Sequence, residues 1–198
     1  MSRIIAGRAK GLRLATPNGA NTRPTTDRVR EALFSSLVTW AGTNDEAAAS
    51  QLDGIGLLDL YAGSGAVGLE AASRGAGPVT LVERDRATAE LIRRNARSAR
   101  LQVEVVTATV DGYLARPAGH RWDVLWFDPP YELPATVIEQ QLGTLLAASA
   151  LAGDGLIVVE RSSRDMEPDW PAELTVRWSR RYGETTLYYC RSGEQDQQ

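Results

Sequence analysis

Two rhythms of apolar residues divide the chain. From residue 55 onward, short near-continuous apolar runs alternate with stretches whose apolar residues recur every three or four positions. The runs predict strands at 55–61, 79–83, 103–107, 122–128 and 155–160; the spaced stretches predict helices at 67–74, 86–99, 110–115 and 135–147. Apolar strands alternating with helices make an α/β fold with a parallel sheet covered on both faces. The tail, 174–180 and 185–191, reads as two strands around Tyr182-Gly183-Glu184, paired as a hairpin at the sheet edge. Residues 3–15 predict another β-hairpin, around Gly7-Arg8-Ala9-Lys10-Gly11. A turn-rich stretch at 16–21 leads to a helix capped by Thr25, Thr26 or Asp27, with Val29, Leu33, Leu37 and Trp40 on one side. Residues 44–53 read as a polar linker. The expected organisation is a basic hairpin arm at 1–24, a body at 25–192 and a disordered tail at 193–198.

Composition narrows the chemistry. The 198 residues suffice for one domain with a sizeable core. No apolar run approaches the roughly 20 residues that span a bilayer, and the first residues are too poor in apolar side chains for a secretory signal. A cytoplasmic monomer with no membrane contact is expected. Cys190 is the only cysteine and His120 the only histidine, so neither an intrachain disulfide nor a Cys/His zinc site is available, and no metal is expected. Residues 1–30 hold seven basic side chains against Asp27, a charge of +6, leaving −9 on the remainder. A basic arm on an acidic body predicts a polyanionic partner; the plainer alternative is a solvated basic end.

The segment Asp59-Leu60-Tyr61-Ala62-Gly63-Ser64-Gly65-Ala66-Val67-Gly68 leaves a predicted strand and opens a predicted helix. Glycines there let a ligand approach the backbone, and the helix start offers unpaired N–H groups. Glu83 ends the next strand, where a carboxylate can accept both ribose hydroxyls. Gly63-x-Gly65-x-x-Gly68 matches a dinucleotide fingerprint and equally a loop that wraps the methionine part of S-adenosylmethionine. Asp59 favours the second, because an acid beside a pyrophosphate repels it. The loop alone leaves both cofactors open.

A second motif bears on the reaction. The apolar run 122–127 enters Asp128-Pro129-Pro130-Tyr131, at the carboxyl end of a strand where open α/β sheets bind ligands. The prolines fix direction and remove N–H donors. The Asp128 carboxylate and Pro129 carbonyl then form two acceptors beside the Tyr131 ring, a set suited to a planar group bearing an exocyclic NH2. Accepting from both amino protons favours a pyramidal nitrogen and stabilises developing positive charge. No catalytic histidine is required.

These motifs, with Arg3-Ile4-Ile5-Ala6-Gly7 and Arg23-Pro24-Thr25-Thr26-Asp27-Arg28-Val29-Arg30-Glu31, resemble the RsmD family of bacterial 16S rRNA guanine-N2 methyltransferases from Arg3 to about Arg191. The resemblance implies a Rossmann-like class I methyltransferase fold, with a seven-stranded, mostly parallel sheet and an N-terminal extension. It implies methyl transfer to the guanine usually called 966, within an assembled or nearly assembled small ribosomal subunit. By position, Asp59, Tyr61, Gly63, Ser64 and Gly65 would line S-adenosylmethionine, Glu83 would hold its ribose, and Asp128, Pro129 and Tyr131 would hold the guanine. Where related enzymes often place Asp or Asn against the adenine, this chain has Ala108-Thr109-Val110-Asp111. Thr109 and the Val110 amide are the expected adenine contacts. Asp111 is the alternative, and helix capping is the other role open to Thr109.

The substrate base is expected to be a loop guanine splayed into the pocket. Arg8, Lys10, Arg13, Arg23, Arg28 and Arg30 are the expected phosphate contacts. Arg177, Arg180 and Arg181 read as strand-surface charge. Two other targets or classes compete: adenine-N6 or another amino group in DNA or RNA, and a non-catalytic RNA-binding protein. An NAD-dependent oxidoreductase is a third, weakened because its Tyr-x-x-x-Lys pair cannot exist with Lys10 as the only lysine.

Overall fold

The computed structural model describes residues 2–17, 26–117 and 119–193. A hairpin of β1 (Ser2–Arg3) and β2 (Arg13–Leu14) precedes α1 (Asp27–Ala41). The body then alternates β3 (Leu57–Asp59), α2 (Ala66–Ser73), β4 (Val79–Glu83), α3 (Arg86–Ala99), β5 (Glu104–Thr107), α4 (Val110–Leu114), β6 (Trp122–Phe127), α5 (Ala135–Ala147) and β7 (Leu151–Ser162). It closes with β8 (Val176–Tyr182) and β9 (Thr185–Arg191). The seven-stranded sheet has the order β5-β4-β3-β6-β7-β9-β8. Strands β5 through β7 are parallel, and β9 runs antiparallel to both β7 and β8.

Successive side chains point to opposite sheet faces, so each central strand feeds two cores. Leu57, Val79 and Val124 pack with α1, α2 and α3, while Leu58, Leu125 and Phe127 pack with Ile138 and Leu142 of α5. Two strands differ in length from the expectation by several residues. β3 stops at Asp59 because the chain turns into the glycine loop, although the Leu60 amide still donates to Trp126 O at 3.1 Å. β7 extends to Ser162 because its far edge is paired with β9 as far as Ser162↔Thr185.

Thr26 caps α1, its hydroxyl accepting from the Val29 amide at 3.3 Å. Glu70 of α2 explains why the N-terminal hairpin packs on the body. Its carboxylate is fully buried, accepts from the Ile5 and Ala6 amides at 2.6 and 2.9 Å, and pairs with Arg74 at 2.9 Å. Ile4 and Leu14 join the same core as α2. The hairpin is therefore anchored to the helix that begins at the glycine loop. Ala9 lies within it, but residues 18–24 of the expected arm, Arg23 among them, and 194–198 of the expected tail lie outside the described residues. Among the described residues, no helix is long and apolar enough to cross a membrane.

Candidate active site

The connections reverse direction between β3 and β6. From β3 the chain steps outward to β4 and β5, then returns to the other side of β3. The carboxyl ends of β3, β4 and β6 meet at that reversal, which brings Asp59, Glu83 and Asp128 to one rim.

Asp59 lies beneath the glycine loop with 1% of its surface exposed. One oxygen, Oδ2, accepts from the Gly68 amide at 3.2 Å and so satisfies an orphan donor in the first turn of α2. Oδ1 is buried with no hydrogen-bond partner. Burial pushes the Asp59 carboxyl up to about 8; the nearby Asp128 and Glu83 charges add to the rise, and the Gly68 and Tyr61 amides oppose it.

The three loop glycines have different surroundings. A Cβ on Gly68 would stand 2.6 Å from Leu81 Cδ2, and one on Gly65 2.8 Å from Ile92 Cγ2. Those two positions let the loop pack down on β4 and α3. Gly63 has a φ of +53°, and a Cβ there would meet only Tyr61 O at 4.0 Å, so open space lies above it. Ser64 is half-buried, and its carbonyl accepts from Asn95 of α3 at 3.4 Å.

Glu83 also shapes the loop. Its Oε2 accepts from the Gly63 amide at 2.9 Å and its Oε1 from the Asp85 amide at 2.8 Å. The carboxylate is fixed in orientation while staying partly exposed. Tyr61 donates to Gln141 Oε1 at 2.6 Å, and Gln141 donates to Asp111 Oδ1 at 2.8 Å. Burial raises the Tyr61 hydroxyl above its ordinary value, which keeps it a donor in this chain. The two residues weighed for adenine are thus otherwise engaged: Asp111 faces Gln141, and the Thr109 hydroxyl caps α4 by accepting from Gly112 at 3.1 Å. The Val110 side chain is in the core. Its amide, at the first position of a helix, has no intrahelical acceptor.

On the other side of Asp59, Asp128 is half-buried, Pro129 is buried, and Tyr131 is 44% exposed. Arg161, near the carboxyl end of β7, reaches the turn from behind. This almost wholly buried guanidinium lies 3.5 and 3.4 Å from the carbonyls of Pro130 and Tyr131 and pairs with Asp165 at 2.8 Å. Sequence reasoning missed it. The available signal was a charged Glu160-Arg161 pair ending an apolar run, at the strand end beside Asp128.

The basic residues divide. Lys10, Arg13 and Arg28 are exposed, as is Arg8, which also donates to Ala72 O at 3.0 Å. Arg30 is a correction to the expected phosphate contacts. It is 0% exposed, donates to Arg3 O at 2.9 Å and pairs with Asp27 at 2.6 Å, so it joins α1 to β1. Arg177 and Arg181 bond to nearby carbonyls, in keeping with strand-surface charge, and Cys190 is buried in β9.

Residues 2–191 match the model of the family described as Conserved hypothetical protein 95. The chain is 34% identical over 175 residues to Ribosomal RNA small subunit methyltransferase D of Escherichia coli K12, covering 88% of this chain and 81% of that one. It is 31% identical to the putative rRNA methyltransferase YlbH of Bacillus subtilis, covering 92% and 95%. Among solved structures, the putative methyltransferase yhhF from Escherichia coli superposes with a TM-score of 0.80 at 32% identity, over 97% of this chain and 98% of that one.

Proposed function

The chain belongs to the Conserved hypothetical protein 95 family, which is the RsmD family, and we propose that it transfers a methyl group from S-adenosylmethionine to the exocyclic N2 of a guanine in 16S rRNA. The proposed target is the loop guanine usually called 966, met in the small ribosomal subunit by a cytoplasmic monomer. One observation carries the reading: the unpartnered, buried Oδ1 of Asp59 lies beneath an open glycine loop, beside the Asp128 turn. A buried carboxylate oxygen without a donor suits a cationic ligand and disfavours a pyrophosphate, and this supports S-adenosylmethionine over a dinucleotide.

When bound, S-adenosylmethionine supplies an electrophilic methyl on a positively charged sulfur. The protein's own groups do the rest. Asp59 balances positive charge, Gly63 and Ser64 admit the ligand, and Glu83, held by two amides, presents its remaining lone pairs to ribose hydroxyls. Tyr61, Gly65 and the Val110 amide complete the proposed cofactor wall, with Thr109 serving there as the cap of α4. The Asp128 carboxylate and Pro129 carbonyl accept from the two amino protons, which makes the guanine nitrogen pyramidal and exposes its lone pair. Tyr131 stacks on the base, and Arg161 steadies the turn through the Pro130 and Tyr131 carbonyls. Exposed Arg8, Lys10, Arg13 and Arg28, with Arg23, would contact flanking phosphates.

The test compares methyl transfer to small-subunit particles, free 16S rRNA and DNA, with the modified nucleoside released and identified. N2-methylguanosine from particles is the expected product. Transfer to DNA alone, or an N6-methyladenosine product, would overturn the assignment.

A further inference from the structure

The N-terminal arm does not account for all the positive charge. Residues 84–100 carry six arginines against Asp85 and Glu90, a charge of +4, inside a stretch from residue 31 onward that totals −9. Arg86, Arg93, Arg97 and Arg100 are spaced by seven, four and three residues, which stacks them along one side of α3 and its C-terminal cap. Arg86, Arg94, Arg97 and Arg100 are exposed.

This stripe borders a groove. β5 is the edge strand of the sheet, and a groove of about 530 Å3 lies between it and the end of α3. Arg93, Arg97 and Arg100 line it, with Leu101, Val103 and Val105, and among the described residues no acidic side chain does. Arg93 also covers the sheet edge by donating to Val105 O at 2.6 Å, and its charge is shared with Glu90 at 2.7 Å. A solvated helix face that complements the α3 macrodipole would account for Arg97. It would not account for three arginines lining one groove when only Arg93 is paired with a carboxylate among the described residues, since the helix end contributes only about half an elementary charge.

The hairpin packs on the opposite side of the same helix. Asn95 of α3 accepts from the Ala15 amide at 3.0 Å and donates to the Ala15 carbonyl at 2.9 Å, two residues beyond exposed Arg13. The same side chain reaches Ser64 of the glycine loop. Helix α3 begins beside the candidate site, just after Glu83, and runs about 21 Å to the opposite end of the sheet.

We propose that the groove between α3 and β5 is a second docking site, which takes the phosphate backbone of the rRNA substrate at a distance from the target base. This rests on the assignment of rRNA as substrate. A planar, bidentate guanidinium fork matches phosphate oxygens, and an acid-free lining favours RNA over a mixed protein surface.

The test is the double variant R97Q/R100Q, which removes two charges at exposed positions while keeping polar side chains, with thermal melting as a check on folding. Binding of naked 16S rRNA and of small-subunit particles is measured across a salt series, alongside particle methylation and S-adenosylmethionine affinity. The expected result is about tenfold weaker binding of both RNA forms and a salt slope smaller by about two. KM for particles rises to match, while kcat and cofactor affinity stay at the parent's values. Unchanged rRNA binding and salt slope would overturn the proposal. So would a loss confined to particles, which would mean that the groove meets a ribosomal protein. The binding measurements do not depend on turnover. If the parent binds rRNA but does not methylate it, the substrate assignment fails, and the comparison of parent with variant still decides the role of the groove.

Discussion

Burial holds the Asp59 carboxyl above the ordinary carboxylate range, so a cationic cofactor that meets its carboxylate form must displace a proton. With its pKa raised to about 8, by burial first and by Asp128 and Glu83 next, the group is ionised in about one molecule in ten at pH 7 and one in a hundred at pH 6. If binding requires the carboxylate, apparent affinity is the intrinsic value scaled by that fraction. Affinity for S-adenosylmethionine should then rise about tenfold per pH unit between pH 6 and 8 and level off above, each tenfold step being about 1.4 kcal/mol. Binding at pH 7 should release about 0.9 proton per site. Calorimetry in two buffers of different ionisation enthalpy measures that proton directly. Asp59→Asn should abolish the release and flatten the profile, with affinity below the parent's at pH 8.5.

The same carboxyl leaves a mark on folding. Its pKa is raised on folding, so the native state holds a proton that the unfolded chain has lost between about pH 4 and 8. Stability from this group is full below that window and falls through it, by up to about 1.4 kcal/mol per unit. Asp59→Asn should remove this slope. S-adenosylhomocysteine, which lacks the charge on sulfur, tells which cation Asp59 meets: persistent proton release points to the ammonium group, loss of release to the sulfonium. Affinity that is flat from pH 6 to 8.5 with no proton release, or a pH profile unchanged in the Asn variant, would refute the role of Asp59.

Four further outcomes follow from the geometry. Asp128→Ala should lower methylation by about 10^2–10^3-fold while calorimetric cofactor binding persists; unchanged turnover would remove Asp128 from the reaction. Arg161→Met should reduce kcat by about tenfold with cofactor affinity retained, because the turn loses its hold on the Pro130 and Tyr131 carbonyls; equal loss of cofactor affinity would mean a general packing role. Gly68→Ala should cost about 1–3 kcal/mol in a melting experiment, since its Cβ would meet Leu81, and Leu81→Ala in the same chain should give a combined loss smaller than the sum of the two. Arg30→Ala should destabilise by about 3 kcal/mol or more, whereas Arg28→Ala should leave stability within about 0.5 kcal/mol and weaken rRNA binding instead.

Arg30 also marks where a sequence is legible and where it misleads. The sequence places Val29, Leu33 and Leu37 on one face of α1, and residue 30 belongs to the same pattern. Arg30, Leu33, Phe34, Leu37 and Val38 repeat at three- and four-residue steps, and all five are buried. Charge marks residue 30 as a surface position and periodicity marks it as buried; the structure follows the periodicity. Elements set by local pattern came out at their predicted bounds, as with Val79–Glu83, Arg86–Ala99, Ala135–Ala147 and Thr185–Arg191. The rim of Asp59, Glu83 and Asp128 was legible for a related reason: parallel strands joined by helices must end on one side of the sheet, so the final residue of each strand is placed by topology. What stayed hidden needed pairing between distant elements. Arg161 meets Pro130 and Tyr131 about thirty residues away, Asn95 meets Ala15 across eighty, and Gln141 joins Tyr61 to Asp111. None of these side chains belongs to a motif. Each holds a motif in place, so the catalytic reading of Asp128 and the cofactor reading of Gly63 both depend on residues that only the folded chain brings to them.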